Sequence, residues 1–316
     1  MRLNPDKRTK IVVIGSSNTD MVIQADRLPV PGETILGGTF LMSPGGKDAN
    51  QALACARLGA EVTFVAKIGN DLFGIQAMEI YKSEQIDTRY VYTDNKNPSG
   101  VALITIDTTG ENFITVAAGA NQSLSVQDID KARDVIRDAD IILLQLEIPL
   151  ETVAYAVDLA YRLGKRVILN PAPAASLHKT LMNRLYAILP NRIEAEMLSG
   201  IKVSDSRSAA VAAGIIRDKG VANVIITMGR EGAFVLDDQG REAMLPANET
   251  PTIDTTGAGD VFCGALSVYL AEGHTLVDSV RFANVAASVA VTRIGAQSSI
   301  PYRFEIDRVF SSDSPI

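Results

Sequence analysis

The residues at 254–266 have the types and spacing that could carry out chemistry. The small residues Gly257, Ala258 and Gly259 form a turn that leads directly into an amphipathic segment, and glycine lets the backbone expose its N–H groups. These donors and the positive end of the helix dipole favour a bound phosphate. A carboxylate at Asp260 would repel that phosphate unless it took a proton from a nucleophile attacking phosphorus. The segment therefore predicts a phosphoryl-transfer site with Asp260 as the general base.

A structural role is the alternative for the same segment. Acidic residues are common in the first turn of helices, so Asp260 could cap its helix without taking part in a reaction. Neither standard nucleotide fingerprint fits, because Gly257-Ala-Gly259 lacks the third glycine of GxGxxG and Gly45-Gly-Lys-Asp48 lacks the Ser or Thr of a P-loop. The sequence therefore argues against a dehydrogenase and a P-loop enzyme.

Composition and charge argue against several other classes of protein. The 30 Lys and Arg residues against 37 Asp and Glu give a formal charge of -7, which is the wrong sign for binding nucleic acid. Cys55, Cys263, His178 and His274 are scattered, so no disulfide framework or zinc site is predicted. The N-terminus has no apolar signal core and no apolar run reaches the ~18 residues of a membrane span. We therefore expect a cytoplasmic protein without a nucleic-acid or membrane partner.

The elements that must position the 254–266 segment alternate between strand and helix. Apolar, β-branched runs predict buried strands, and apolar residues three and four apart predict helices. The strands are predicted at residues 10–15, 61–66, 140–145, 166–170 and 223–227, and the helices at 48–58, 72–83, 150–163, 206–219 and 258–271. This alternation predicts an α/β fold with a doubly wound, mostly parallel sheet flanked by helices.

Two stretches, at about residues 19–43 and 99–117, break the alternation. The first contains prolines and glycines among short β-like pieces, and the second predicts a hairpin around residues 108–111. Both favour antiparallel strands, and we expect them to form a small β-sheet lid over one end of the main sheet. Residues 1–316 are thus predicted to form a single domain with a lid, whose exposed edges favour a homodimer.

A second motif, Gly45-Gly-Lys-Asp-Ala-Asn50, lies near the other end of the chain. It resembles the GGKGAN motif of the ribokinase-like (phosphofructokinase B) sugar kinases, and Asp254-Thr-Thr-Gly-Ala-Gly-Asp260 resembles their DTxGAGD signature. The whole set of motifs is most similar to that of the ribokinases. Further matches lie at residues 15–20, 31–34, 119–121, 145–147, 170–173, 190–194 and 295–297.

The resemblance implies an ATP-dependent kinase for the primary (5-) hydroxyl of a pentose, with ribose as the leading substrate. It also assigns a sugar-binding set of amide, ammonium and carboxylate groups, as a polyhydroxyl ligand requires. Each of these residues alone is also common in turns or on surfaces, so only the set is informative. The set is Asn18, Asp20, Gly46, Lys47, Asp48, Asn50, Glu147 and Asp260.

The resemblance likewise assigns a nucleotide-binding set. In this family the position of Glu194 is associated with Mg²⁺ and phosphate through water, and Mg²⁺ needs few direct protein ligands. The alternatives are a simple turn for residues 227–232 and a buried polar residue satisfied within its helix for Asn284. The set is Asn191, Glu194, Thr227, Gly229, Gly232, Gly259 and Asn284.

A monovalent cation site beside the anion hole is also implied by the resemblance, with K⁺ as an activator. Most of its members would contribute backbone carbonyls, and Asp254 is the exception. Charge there could help to order the N–H groups of the hole. The set is Asp254, Thr256, Ala290, Arg293, Gly295 and Ser299.

Asp48 departs from the pattern, because most relatives have glycine at this position of GGKGAN. Its side chain could face the sugar or point outwards to solvent. We expect the outward orientation, since an unpaired carboxylate beneath a closed lid would cost several kcal/mol.

Other functions are compatible with the same motifs. A nucleoside kinase would be expected to line its lid with aromatic residues, which make up only 5% of the chain, and a sugar-phosphate kinase would need more basic residues than Lys47. A kinase for deoxyribose or another small sugar, and a non-catalytic sugar or nucleotide sensor, remain alternatives.

Overall fold

The computed structural model describes residues 8–109 and 111–312, in which thirteen strands form two sheets. Eight of the strands lie between residue 8 and the middle of the chain, and the other five follow. In chain order they are β1 (Lys10–Gly15), β2 (Asn18–Gln24), β3 (Thr39–Gly45), β4 (Glu61–Gly69), β5 (Asp87–Asp94), β6 (Gly100–Ile106), β7 (Asn112–Ala117), β8 (Ile141–Leu144), β9 (Arg166–Leu169), β10 (Ala187–Ile188), β11 (Asn223–Thr227), β12 (Ala233–Leu236) and β13 (Glu242–Leu245).

Helices cover both faces of the larger sheet. The helix predicted at 258–271 has the predicted bounds, and the one predicted at 48–58 begins one residue earlier. None of the helices among the described residues is long and apolar enough to cross a membrane. They are α1 (Lys47–Arg57), α2 (Leu72–Ser83), α3 (Val126–Lys131), α4 (Arg133–Asp138), α5 (Leu150–Arg162), α6 (Lys179–Met182), α7 (Arg192–Ser199), α8 (Ser206–Asp218), α9 (Ala258–Ala271), α10 (Leu276–Ala290) and α11 (Arg303–Ser312).

The main sheet has the strand order β13-β12-β11-β10-β9-β8-β1-β4-β5. Neighbouring strands are parallel from β11 through to β5, whereas β12 and β13 join antiparallel at one edge. Along β1, Ile11 and Val13 pack in the core beside α1 and α9, and Val12 and Ile14 pack in the core beside α5. Burial on both faces explains why these strands read as continuous apolar runs. The prediction of a mostly parallel, helix-flanked sheet is confirmed.

The lid is a separate four-stranded sheet with the order β3-β2-β6-β7. Each predicted excursion forms an antiparallel pair, β2 with β3 and β6 with β7, and the two pairs join through parallel β2 and β6. The lid is therefore mixed rather than antiparallel throughout. Residue 110 of the predicted hairpin turn, and residues 1–7 and 313–316 of the predicted domain, lie outside the described residues.

The carboxyl ends of the parallel strands bring the polar motifs together. Ser16 follows β1, Gln145 follows β8, Asn170 follows β9 and Asn191 lies just beyond β10. The lid strand β2 begins directly after β1, and β3 leads into α1, so the lid is attached at this same end. Open α/β sheets bind their ligands at such an edge.

Candidate active site

Helix α9 begins at a glycine turn that leaves its N-terminus open. Gly257 is the N-cap with φ 74°, in the left-handed region, and no side chain caps the helix. A Cβ on Gly257 would lie 3.2 Å from Cα of Ala296, whereas a Cβ on Gly259 would meet nothing within 4 Å. The first N–H groups of α9 have no side-chain partner from a cap, which is the arrangement of an anion-binding helix terminus.

Asp260 lies in the first turn of α9 and does not cap it. Only 7% of the residue is exposed, and its carboxylate accepts hydrogen bonds from Asn50 Nδ2 (2.9 Å) and Gln51 Nε2 (3.3 Å). Burial raises the pKa of Asp260 to about 7, against the opposing effects of Asn50 and Lys47. A carboxyl group with a pKa near neutrality can take up a proton during a reaction, so the geometry favours the general base over the capping alternative.

Helix α1 begins in the same way as α9, but its N-terminus packs closely against the loop after β1. Gly46 is its N-cap with φ 89°, again without a side-chain cap. A Cβ on Gly46 would lie 2.7 Å from the backbone nitrogen of Asn18, so only glycine allows the loop after β1 to approach so closely. This contact brings the first motif of the chain against the second.

Two members of the predicted sugar-binding set, Asp20 and Lys47, interact with a third, Glu147. Ser16 Oγ donates to Glu147 Oε2 (2.5 Å), the backbone N–H of Lys47 also donates to Oε2 (3.3 Å), and Lys47 Nζ forms an ion pair with Oε1. Burial, and then the nearby Glu147, raise the pKa of Asp20 to about 6, while Lys47 opposes them. Several carboxylates therefore share one ammonium group, that of Lys47.

Asn18 is held by a residue outside the predicted set. Its Oδ1 accepts a hydrogen bond from Asn121 Nδ2 (2.7 Å), and Asn121 Oδ1 accepts from the backbone N–H of Ser17 (2.9 Å). Asn121 is 1% exposed and fixes the loop that carries Asn18. The Gly119-Ala-Asn121 motif was the sequence signal for this residue.

Asp48 contradicts the expected outward orientation. It is completely buried, and its Oδ2 accepts a hydrogen bond from the backbone N–H of Ser16 (2.8 Å). The carboxylate fills the space that a side chain on residue 15 would occupy, since a Cβ on Gly15 would lie 1.9 Å from Asp48 Cγ. Burial, opposed by the Ser16 hydrogen bond, raises the pKa of Asp48 well above its usual range. A hydrogen bond and a shift towards the neutral acid therefore meet part of the cost expected for a buried carboxylate, while Oδ1 has no hydrogen-bond partner among the described residues.

A cavity of about 590 Å³ lies in front of the α9 terminus. Five residues of the predicted nucleotide set line it: Thr227, Gly229, Gly232, Gly259 and Asn284.

Asn284 does not find its partners within its own helix. Its Nδ2 donates to the backbone carbonyls of Leu245 (3.0 Å) and Pro246 (3.1 Å), so it ties α10 to the exit of β13. The alternative of a residue satisfied within its helix is therefore wrong.

Asn191 and Glu194 form a reciprocal capping box at the start of α7. Asn191 Oδ1 accepts from the backbone N–H of Glu194 (2.9 Å), and Glu194 Oε2 accepts from that of Asn191 (2.8 Å). They do not line the cavity. Burial raises the pKa of Glu194, with the Asn191 hydrogen bond opposing it.

Two members of the predicted cation set, Thr256 and Gly295, hydrogen-bond to a third, Asp254. Its Oδ1 accepts from the backbone N–H (2.9 Å) and Oγ1 (2.6 Å) of Thr256, and Oδ2 accepts from the N–H of Gly295 (2.8 Å). Although burial acts the other way, these hydrogen bonds lower the pKa of Asp254. Arg293 directs its guanidinium to Glu305, so that only its backbone is free for the site.

The predicted cation set offers oxygen ligands and no nitrogen or sulfur ligand. No group of three or more His, Cys, Asp or Glu residues within 8–109 and 111–312 could hold a metal ion. Asp254 supplies a carboxylate, a hard oxygen ligand, whose pKa is lowered, and Mg²⁺ in kinases is bound chiefly by nucleotide phosphates and water.

The comparisons with known proteins identify the family of the chain. The model of the pfkB family carbohydrate kinases matches residues 8–303. A ribokinase from Haemophilus influenzae is 41% identical over 94% of this chain and 97% of its own length, and a deoxyribokinase from Salmonella typhi is 36% identical over 92% and 95%. The structure of Arabidopsis thaliana ribokinase complexed with ribose and ATP superposes with a TM-score of 0.89 at 29% identity, covering 96% of this chain and 99% of that one. The family model and the similar curated proteins show that the chain belongs to the pfkB family of carbohydrate kinases.

Proposed function

We propose that this chain transfers the terminal phosphoryl group of ATP to the primary (5-) hydroxyl of ribose, giving ribose 5-phosphate and ADP. The observation that carries the proposal is the position of Asp260. Its buried carboxylate lies between the sugar-binding cluster and the open glycine turn of α9, and two side-chain amides hold it. A base placed between an alcohol and an anion-binding helix terminus is the arrangement that phosphoryl transfer to a hydroxyl needs.

In this mechanism the sugar binds against Asn18, Asp20 and Glu147, with its primary hydroxyl directed at Asp260. Asp260 removes the hydroxyl proton as the oxygen attacks phosphorus, and the N–H groups of Gly257, Ala258 and Gly259 stabilise the charge on the transferring group. The cluster around Glu147 then orients the hydroxyls that do not react. Closure of the lid excludes water, which would otherwise compete as the acceptor.

The nucleotide occupies the cavity lined by Thr227, Gly229, Gly232 and Asn284. Mg²⁺ bound to the ATP phosphates would neutralise their charge. Glu194, which lies at the start of α7, would hold that ion through water while it continues to cap its helix. Asn191 would keep Glu194 in place through the capping box.

We assign the residues around Asp254 to a K⁺ site. Asp254 ties the turn before Gly257 to Gly295, so an ion bound there would order the backbone that forms the anion hole. The carbonyls of Ala290, Arg293, Gly295 and Ser299 would complete the coordination together with Thr256.

Deoxyribose is the second candidate substrate. The Salmonella typhi deoxyribokinase is 36% identical to this chain, close to the identity of the ribokinases. The two sugars differ by one hydroxyl, and a site built to hydrogen-bond a hydroxyl rejects an analogue that lacks it. The carboxylates of Asp20 and Glu147 beside Lys47 offer such hydrogen bonds, which favours ribose.

The lid supports a homodimer. Its face opposite Asp20 carries five apolar residues that are 45% to 59% exposed: Ile23, Phe40, Met42, Leu103 and Phe113. A contiguous apolar face of this kind is typical of an interaction surface, and a second copy would cover it symmetrically. Phe40→Glu should convert a dimer to a monomer in sedimentation equilibrium, whereas Val211→Glu on exposed α8 should not; a monomeric parent protein would contradict the assignment.

A substrate panel tests the function. Purified protein is assayed by ADP release with ribose, 2-deoxyribose, another pentose, a nucleoside and no sugar. We expect the highest kcat/KM with ribose, by at least tenfold over 2-deoxyribose, and negligible ADP release without sugar. Equal ADP release with and without sugar would contradict a sugar kinase, and a preference for 2-deoxyribose would reassign the substrate.

A further inference from the structure

Gln51 is a completely buried side chain that contacts the catalytic carboxylate. It follows Asn50 on α1, and its Nε2 lies 3.3 Å from Asp260 Oδ1 and 3.4 Å from Asn170 Oδ1. Asn50 Nδ2 donates to the other oxygen of Asp260, Oδ2, at 2.9 Å. Two consecutive residues of one helix therefore each hold one oxygen of the same carboxylate.

The direction of the hydrogen bonds through Gln51 is fixed from outside the site. Asn170 Nδ2 donates to the backbone carbonyl of Leu189 (2.8 Å), and a carbonyl can only accept. Asn170 must therefore present its Oδ1 to Gln51, which in turn must present its amide N–H₂ group. Both acceptors of that group are oxygens, so the Gln51 amide points its donors at Asp260 by necessity.

These hydrogen bonds connect the main sheet to Asp260. Asn170 follows β9, and Leu189 lies directly after β10, so both sit on the rigid carboxyl end of the parallel sheet. Asp260, by contrast, is on α9 at the edge of the open cavity. Without a donor at Oδ1 the carboxylate would keep only the Asn50 bond, and it could turn about its Cβ–Cγ bond.

We propose that Gln51 is a positioning residue that fixes the orientation of the Asp260 carboxylate and favours its ionised form. An N–H donor stabilises a carboxylate more than the neutral acid, so Gln51 opposes the effect of burial on Asp260. The role rests on the proposed function of Asp260 as base. Gln51 does not touch sugar or nucleotide in this arrangement; it acts through Asp260 alone.

Other titratable groups also face Asp260, and they set the background for a test by pH. Lys47 stabilises the ionised carboxylate, whereas Glu147 destabilises it, and the buried Asp48 and Cys263 lie close enough to interact with it. None of these groups is altered by a substitution at position 51. A shift of the acidic limb on changing Gln51 is therefore a change at Asp260.

The test is the pH dependence of kcat/KM for ribose in Gln51→Leu and Gln51→Met, measured from pH 5.5 to 9.5. We expect the midpoint of the acidic limb to move upwards by about half to one pH unit, because a donor to the charged form is lost. Activity lost at pH 6.5 should recover to within about threefold of the parent at pH 9, with KM for ATP unchanged. Gln51→Met preserves the length of the side chain if Gln51→Leu packs poorly.

Gln145→Leu is the matched control. Gln145 is also completely buried, it follows the neighbouring strand β8, and its amide atoms have no hydrogen-bond partner among the described residues. We expect its midpoint to stay within about 0.2 units of the parent. An equal shift in Gln145→Leu, or a uniform loss at all pH values in the Gln51 variants, would overturn the proposal.

Asn170→Ala provides a second arm. It removes the anchor of the Gln51 amide, so it should move the midpoint in the same direction by a smaller amount, and adding it to Gln51→Leu should give no further shift. Additive shifts would contradict a linear connection through Gln51. Full activity in Asp260→Asn would instead refute the proposed base, which keeps the two failures distinguishable.

Discussion

Helices α1 and α9 begin in the same way, but their first turns have different surroundings. Each follows a glycine with positive φ, each lacks a side-chain cap, and each has a buried carboxyl group in its first turn, Asp48 in α1 and Asp260 in α9. The two helix starts differ in what lies next to their glycines. Gly46 is pressed against the backbone of Asn18, whereas Gly259 faces open space.

The partners of the two carboxyl groups follow from this difference. Asp48 accepts from the backbone N–H of Ser16 and fills the space beside Gly15, so it supports the loop that carries the sugar-binding residues. Asp260 is held by side-chain amides and follows Gly259, which lines the cavity, and in the proposed mechanism it takes a proton from the sugar. A helix that begins at a glycine and has a carboxylate in its first turn is therefore not by itself evidence of a catalytic site. Whether a ligand can reach the carboxylate decides its role.

The largest expected effect that separates the two carboxyl groups is that of Asp260→Asn. The substitution keeps size and removes the base, so kcat should fall by roughly 10² to 10⁴, with little change in ATP affinity. Steady-state rates together with nucleotide binding by calorimetry measure both. Near-normal turnover in the variant would show that Asp260 is not the base.

The pH profile sharpens the same distinction. Because the base must be ionised and the pKa of Asp260 is about 7, kcat/KM for ribose should fall about tenfold per unit as pH drops below 7, and level off above it. The buried Asp48 should not add a second limb, since it is placed as a support. A profile that is flat from pH 5.5 to 8 would contradict the assignment of Asp260.

The proposed cation site is the next test, since an ion bound there would order the N-terminus of α9 and not that of α1. Activity should be higher in K⁺ than in Na⁺ at matched ionic strength, and Asp254→Ala should abolish that difference. Asp134→Ala, an exposed aspartate on α4, should leave it intact. Equal rates of the parent protein in K⁺ and Na⁺ would contradict the proposed cation site.

The smallest effect is expected at Asp48. Asp48→Gly removes the acceptor for Ser16 N–H, so KM for ribose should rise by less than about tenfold, or ~1.4 kcal/mol, with the ranking of sugars unchanged. Asp48→Asn keeps an acceptor of the same size and should match the parent more closely. A switch in the preferred sugar in either variant would make Asp48 a specificity residue instead.

Local patterns were sufficient to predict the family and the fold, both of which are confirmed. Apolar runs of β1 and β11 have the predicted bounds, and the α9 pattern predicts its helix to the residue. Strand β10 was missed because its two residues are too short for any periodic signal. The predicted roles of the site residues remain predictions.

Contacts between distant residues explain what the sequence did not reveal. The orientation of Asp48 depends on Ser16, 32 positions away, and on the missing side chain of Gly15. Gln51 contacts Asp260 across 209 positions, and the partner of Asn284 lies 39 positions away. Side-chain orientation at such points is set by tertiary packing, which residue types and spacing do not specify.

Identification of the phosphorylated product tests the central claim most directly. Ribose and ATP with Mg²⁺ and K⁺ are incubated with the parent protein and with Asp260→Asn, and the products are followed by phosphorus and proton NMR. The account predicts a new phosphate ester coupled to the two protons of the sugar C5, formed in equal amount to ADP, and none above background in the variant at the same time point. Phosphate on another carbon, or the same product from Asp260→Asn, would contradict it.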